Sequence, residues 1–110
     1  MALTIIKALQ QTASYPMLRK VAEENHVQVT GDERVGTFSC RGVEGCYEFR
    51  DDGLHGKFAG HGIEGEFTFA GYDVSVTVTK KSFWLPESLL KRTIEEGLDS
   101  LKTRLTNTTV

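Results

Sequence analysis

Gly36-Thr-Phe-Ser-Cys-Arg-Gly-Val-Glu-Gly-Cys-Tyr-Glu-Phe49 decides the fold, because Gly56-Lys-Phe-Ala-Gly-His-Gly-Ile-Glu-Gly-Glu-Phe-Thr-Phe69 restates it 20 residues later. Six of the fourteen positions are identical, and Val43/Ile63 and Tyr47/Phe67 are conservative matches. A period of 20 is too short for a helical repeat and suits a β-hairpin with its connections. In an antiparallel pair, facing residues share a side of the sheet and their numbers add to a constant. Matching aromatic to aromatic gives a register in which Phe38 faces Phe49 and Cys40 faces Tyr47. One repeat further on, Phe58 faces Phe69 and Gly60 faces Phe67. The expected tips are then Gly42-Val43-Glu44-Gly45 and Gly62-Ile63-Glu64-Gly65. Across the intervening turns Phe49 meets Leu54 and Phe69 meets Val74.

This register sorts the strands into two faces. One holds the aromatic and valine positions together with Gly36, Gly45, Gly56, Gly60 and Gly65; the other holds the polar positions, among them Arg41, Cys46, Glu48, His55, Lys57, His61 and Glu66. The expectation is an α+β fold: a six-stranded antiparallel β-meander over residues 26–79, apolar on one side only. Pro86 and Glu87 open a long C-terminal helix over residues 86–105, with Leu89, Leu90, Ile94, Leu98, Leu101 and Leu105 as its stripe. A short N-terminal helix starts at Ser14 and Pro16 and ends near Asn25, with Met17, Leu18, Val21 and Ala22 apolar. The two helices are expected to cover the apolar sheet face, with Gly97 as a point of close approach. Residues 3–11 read either as an edge strand or as a helix, and residues 106–110 as a frayed tail.

Composition limits the function classes. At 110 residues the chain is a single domain with an ordinary apolar fraction of 39%, and its formal charge of −2 gives no reason to expect nucleic acid. No apolar run suffices for a transmembrane segment, and the N-terminal residues lack the pattern of a signal peptide, so the expected location is cytoplasmic. Cys40 and Cys46 are expected to be reduced.

Three features bear on function. The glycine-lined, phenylalanine-rich face would either frame a cavity for an apolar ligand or seat aromatics tightly in a filled core; close packing of interiors favours the filled core. Val43-Glu44 and Ile63-Glu64 would present apolar tips to a partner or fold back over the core end, and burial of apolar side chains favours the latter. Lys80-Lys81-Ser82-Phe83-Trp84-Leu85 would either engage a lipid-like surface or plug the open end of the sheet, the commoner use of such a cluster. On the polar face, His55 facing Glu48, His61 facing Glu66 and Arg41 facing Cys46 are ordinary cross-strand pairs. They make neither a metal site nor a catalytic constellation, and no cofactor is expected.

Gly62-Ile-Glu-Gly65, Val74-Ser-Val-Thr-Val78, Leu85-Pro-Glu-Ser-Leu-Leu90 and the helix that follows resemble the polyhydroxyalkanoic acid system proteins. These are small bacterial proteins encoded beside polyester-storage genes. The resemblance implies a link to polyester granules or their coat proteins and transfers no functional residue. The architecture also resembles a reduced helix-grip (START-like) domain, a class that binds hydrophobic ligands and includes cyclases and hydratases.

The resulting expectation is a non-catalytic binding protein that engages a hydrophobic ligand, a lipid-like surface or a partner protein. Its contacts are expected from Phe38, Phe49, Phe58, Phe67, Phe69 and Trp84. The alternatives are a small helix-grip enzyme using His55 or His61, which requires a histidine directed into a cavity, and a self-associating module forming a homo-oligomer.

Overall fold

A computed structural model of the chain describes residues 3–9 and 14–107, with side chains through residue 104. The elements run β1 (Leu3–Ala8), α1 (Tyr15–Glu24), β2 (Gln28–Gly31), β3 (Val35–Cys40), β4 (Val43–Arg50), β5 (Gly53–Gly60), β6 (Ile63–Ala70), β7 (Asp73–Lys81) and α2 (Glu87–Asn107). Among the described residues, all strands lie in one antiparallel sheet of seven, ordered β1-β7-β6-β5-β4-β3-β2. The fold is α+β, but the six-stranded expectation is one strand short. The additional strand is β1, which pairs with β7 so that Leu3 faces Val78 and Ile5 faces Val76. Burial of Ile5 to 7% exposure outweighs the helix preference of Lys7-Ala8. Gln10 and Gln11, part of the ambiguous N-terminal stretch, lie outside the described residues.

The strand-to-strand register also differs from the sequence reading, and the reason lies in the turns. Cys40 faces Val43 and Gly60 faces Ile63, so each tip is a two-residue loop, Arg41-Gly42 or His61-Gly62. Arg41 and His61 both have φ of 52°, and Gly42 and Gly62 have φ of 85° and 81°. Positive φ at both positions is the type I′ turn, whose twist suits a tight hairpin and whose second position favours glycine. The other tight loops are Asp51-Asp52 and Gly71-Tyr72. Eight-residue strands β4, β5 and β6 with two-residue turns recur every 10 residues, so the repeat of 20 spans two strands and two turns.

The facing residues therefore sit four positions away from the aromatic-to-aromatic match. Aromatics face glycines: Phe38 opposite Gly45, Gly45 opposite Phe58, Tyr47 opposite Gly56, Gly56 opposite Phe67 and Phe58 opposite Gly65. An even shift leaves the two faces intact, and Phe49 still meets Leu54 while Phe69 meets Val74. His55 does face Glu48, whereas His61 and Arg41 sit in turns and face neither Glu66 nor Cys46.

β1 and β2 are opposite edges of the sheet, so the chain between them must cross a face, and it crosses the apolar one as α1. Ser14 caps α1 with an extended backbone, Pro16 occupies its first turn, and Asn25 ends it, donating from Nδ2 to the Val21 carbonyl at 2.8 Å. α2 packs on β1 and α1. Its buried stripe is Leu90, Ile94, Leu98 and Leu101, whereas Leu89 points outward at 51% exposure. Asp99 of α2 forms an ion pair with Lys7 of β1. Gly97 is not an approach point: it is exposed, and a methyl group built on it would meet nothing within 4 Å. Residues 106–107, expected to fray, belong to α2; the Leu105 side chain and residues 108–110 lie outside the described set. Among the described residues, no helix is long and apolar enough to cross a membrane.

The core of Ile5, Leu9, Val21, Val74, Val76 and Leu98 is concentrated where α2 and the end of α1 meet β1 and β7. The helices do not seal the rest of the apolar face, and Phe38, Phe49 and Phe58 there are only half-buried.

Candidate functional site

The part of the apolar face that the helices do not seal forms an open-sided cavity of about 470 Å³ between the sheet and α1. Its floor comes from alternate positions of β3 to β7, which a period of two directs to one side: Phe38, Tyr47, Phe49, Leu54, Phe58, Phe67, Phe69, Val74 and Val76. Its roof is the α1 face Tyr15, Leu18, Arg19 and Ala22, spaced as one side of a helix, and Leu98 and Leu101 of α2 close one flank. The glycines help create this space. Opposite Phe38, Tyr47, Phe58 and Phe67 they offer no side chain, so these four rings lie over the glycine backbone of the neighbouring strand.

All five phenylalanines expected as contacts line this cavity. Phe67 bridges Phe38 and Phe69, with ring centroids 5.8 and 6.1 Å away. Tyr47 and Phe49, 6.4 Å apart in an edge arrangement, form a second group with Tyr15, which lies 5.9 Å from Phe49. These are favourable edge and tilted aromatic geometries. The face is thus not a filled core, contrary to the expectation from close packing.

Trp84 does not belong to the cavity. It is 64% exposed and Phe83 is 96% exposed, so the two do not plug the end of the sheet. Trp84 lies instead beside the His61-Gly62 turn, where a methyl group on Gly62 would come within 3.6 Å of its ring. Val43 and Ile63 are not apolar tips either; both are half-buried strand residues, and Val43 lines the cavity.

The polar members of the lining are Tyr15, Arg19, Tyr47 and Cys40, and no carboxylate or histidine is among them. Three of these cluster. Arg19 Nη1 donates to Tyr15 Oη at 2.6 Å, the Tyr15 and Tyr47 ring centroids are 6.4 Å apart, and Tyr47 O–H donates to the Asp32 carbonyl at 2.7 Å. Burial, with the neighbouring Tyr15 hydroxyl second, raises the Tyr47 phenol above its ordinary value, so it stays protonated as a donor. The sequence reading missed Tyr15 and Arg19. The signal was present in the spacing 15, 18, 19 and 22, which places both beside Leu18 and Ala22 on one helix face.

The opposite sheet face is solvated and carries paired charges. Arg50 binds Glu48 and holds its carboxylate below the ordinary range. His55 lies 2.8 Å from Asp52 and lowers that carboxylate in turn. His61 Nε2 approaches the Arg41 carbonyl at 2.5 Å, drawing the two tight turns together. Neither His55 nor His61 lines the cavity. Among the described residues, no cluster of three His, Cys, Asp or Glu side chains suits a metal ion.

No family model, curated protein or solved structure matches the chain.

Proposed function

We propose that this chain is a non-catalytic binding protein that holds an apolar small molecule between its sheet and α1. The observation behind this reading is the apolar cavity of about 470 Å³, which falls within the roughly 300–1,000 Å³ of small-molecule sites. Its walls offer dispersion contacts and a few hydroxyls, with no paired acid and base to drive a reaction. The test uses the uncharged dye Nile red with wild type and Ala22→Trp, which adds an indole to the roof. Saturable one-to-one binding with blue-shifted emission in the wild type, lost in a variant that keeps its circular dichroism, supports the reading. Non-saturable binding, or binding unchanged by A22W, removes it.

A second reading rests on the exposed Phe83 and Trp84. They follow closely in sequence on Lys80, whose side chain is 79% exposed, and exposed aromatics near cations suit lipid-coated surfaces. The resemblance to the polyhydroxyalkanoic acid system proteins suggests a polyester granule coat as that surface. Trp84 is the chain's one tryptophan, so its emission reports contact directly. A blue shift on adding anionic vesicles, diminished in Phe83→Ser, supports surface binding; unchanged emission excludes it.

A further inference from the structure

We propose that the cavity ligand is a single-chain carboxylate, with its acyl chain along the sheet and its carboxylate on Arg19 and Tyr15. This rests on the cavity being a binding site and adds the chemistry of what fills it.

Among the described residues, Arg19 is the one charged side chain in the lining, and it belongs to the roof. A guanidinium cannot be discharged near neutral pH and presents five N–H donors in a fork matched to a carboxylate. Of these, Nη1 is directed to Tyr15 and Nε faces Glu23 at a long 3.4 Å. Tyr15 accepts from Arg19 through its oxygen, and because Tyr47 gives its proton to the Asp32 carbonyl, the Tyr15 O–H is directed to the Tyr47 oxygen, from which an anionic acceptor would draw it. An incoming carboxylate would therefore meet a cation and a hydroxyl already held in place by each other.

The shape of the site agrees with this polarity. Tyr47 and Phe49, which contact Tyr15, lie toward one end of β4, while Val43 and its facing residue Cys40 lie at the other. From Tyr47 to Val43 the strand covers about 13 Å at roughly 3.3 Å per residue. The site is thus elongated and cationic at one end, with the aromatic floor between. A neutral hydrocarbon would gain nothing from the Arg19 N–H donors that Tyr15 and Glu23 do not take, and a dianionic head would exceed the single positive charge in the described lining.

The test is a competition titration with bound Nile red at neutral pH, using decanoate below its micelle-forming concentration and decanol below its solubility limit. The two share a chain and differ in the charge at its end. Wild type is expected to prefer decanoate by about tenfold, the scale of one charge-assisted hydrogen bond. Arg19→Gln is expected to bring the preference toward unity, and Tyr15→Phe, which keeps the ring, to reduce it by a smaller factor. Decanol binding with no preference for decanoate, or a preference that survives both R19Q and Y15F, overturns the carboxylate assignment while the cavity reading stands. If neither ligand displaces the dye from the wild type, the carboxylate assignment falls, and the cavity reading is decided by the A22W comparison alone. Should R19Q fail to fold, the loss or retention of preference in Y15F decides the matter.

Discussion

The ring of Phe58 lies across Gly65, its partner on the neighbouring strand, so closely that a methyl group on the glycine would sit 2.5 Å from Phe58 Cζ. The same methyl would also meet the Thr77 carbonyl oxygen at 2.5 Å. Gly65→Ala should therefore displace both a ring of the cavity floor and the β6–β7 backbone. The expected cost is about 1–3 kcal/mol, the range for forcing a methylene into filled space. Chemical denaturation measures it, and a G65A protein as stable as wild type would refute the aromatic-over-glycine arrangement.

Gly97 provides the opposite case. It lies in α2 with open space around its Cα, so alanine gains helix propensity without meeting a neighbour. Gly97→Ala should stabilise the protein by about 1 kcal/mol. A destabilised G97A would mean that another surface approaches α2 there.

β1 can be tested by its own alternation. Ile5 is 7% exposed against Val76, whereas the adjacent Ile6 is 68% exposed on the other face. Ile5→Ala should cost about 2–5 kcal/mol, as for aliphatic truncation in a core. Ile6→Ala should stay within about 0.5 kcal/mol. Equal effects at both positions would show that residues 3–8 are not a strand.

The particular residues explain why the sequence reveals some of this structure and conceals the rest. Period-two alternation from Val27 to Val78 separates the faces, and this survives any even change of register. It cannot choose among even registers, because Phe38 opposite Phe49 and Phe38 opposite Gly45 both keep like faces together. What selects between them is the turn, and Arg41-Gly42 and His61-Gly62 lack the Asn or Asp that usually announces a type I′ loop. Lys7-Ala8-Leu9 carries helix preference, so the partner strand β7, distant in sequence, decides β1. The five phenylalanines were identifiable as one face, but alternation carries no information on whether helices fill the space above them. That depends on where the helices pack: α2 lies on β1 and α1, while α1 reaches from α2 across to β2. Arg19 is not legible as a cavity residue from sequence, because a charged residue beside an apolar helix stripe ordinarily faces water.

Asp32 gives a pH-dependent prediction. Its Oδ1 accepts from the Arg34 and Val35 backbone N–H groups at 2.8 and 3.0 Å, and these bonds hold the carboxyl below its ordinary value. A carboxyl whose pKa falls on folding contributes stability in full above its unfolded value of about 3.9 and loses it as pH drops through the lower folded value. Asp32→Ala should therefore lower Tm at pH 7. The gap from wild type should narrow as pH falls from about 5 toward 2. Glu48 and Asp52 are lowered as well, so the comparison must be the difference between the two proteins and not the acid sensitivity of either. A gap that is constant with pH would show that Asp32 acts only through turn geometry.

The two cysteines report on cavity occupancy with an internal control. Cys40 is half-buried and lines the cavity, whereas Cys46 is exposed on the polar face between Thr37 and Lys57. Both are unpaired thiols, so one alkylating reagent reaches each at a rate set by its surroundings. A molecule held over Phe38 and Phe58 should cover Cys40 and leave Cys46 untouched. With saturating Nile red, iodoacetamide should modify Cys40 several-fold more slowly while the Cys46 rate is unchanged, as resolved by peptide mass spectrometry. Equal slowing of both would indicate general stabilisation of the fold without occupancy of the cavity. No slowing of Cys40 at a dye concentration that saturates the emission signal would place the dye elsewhere on the protein.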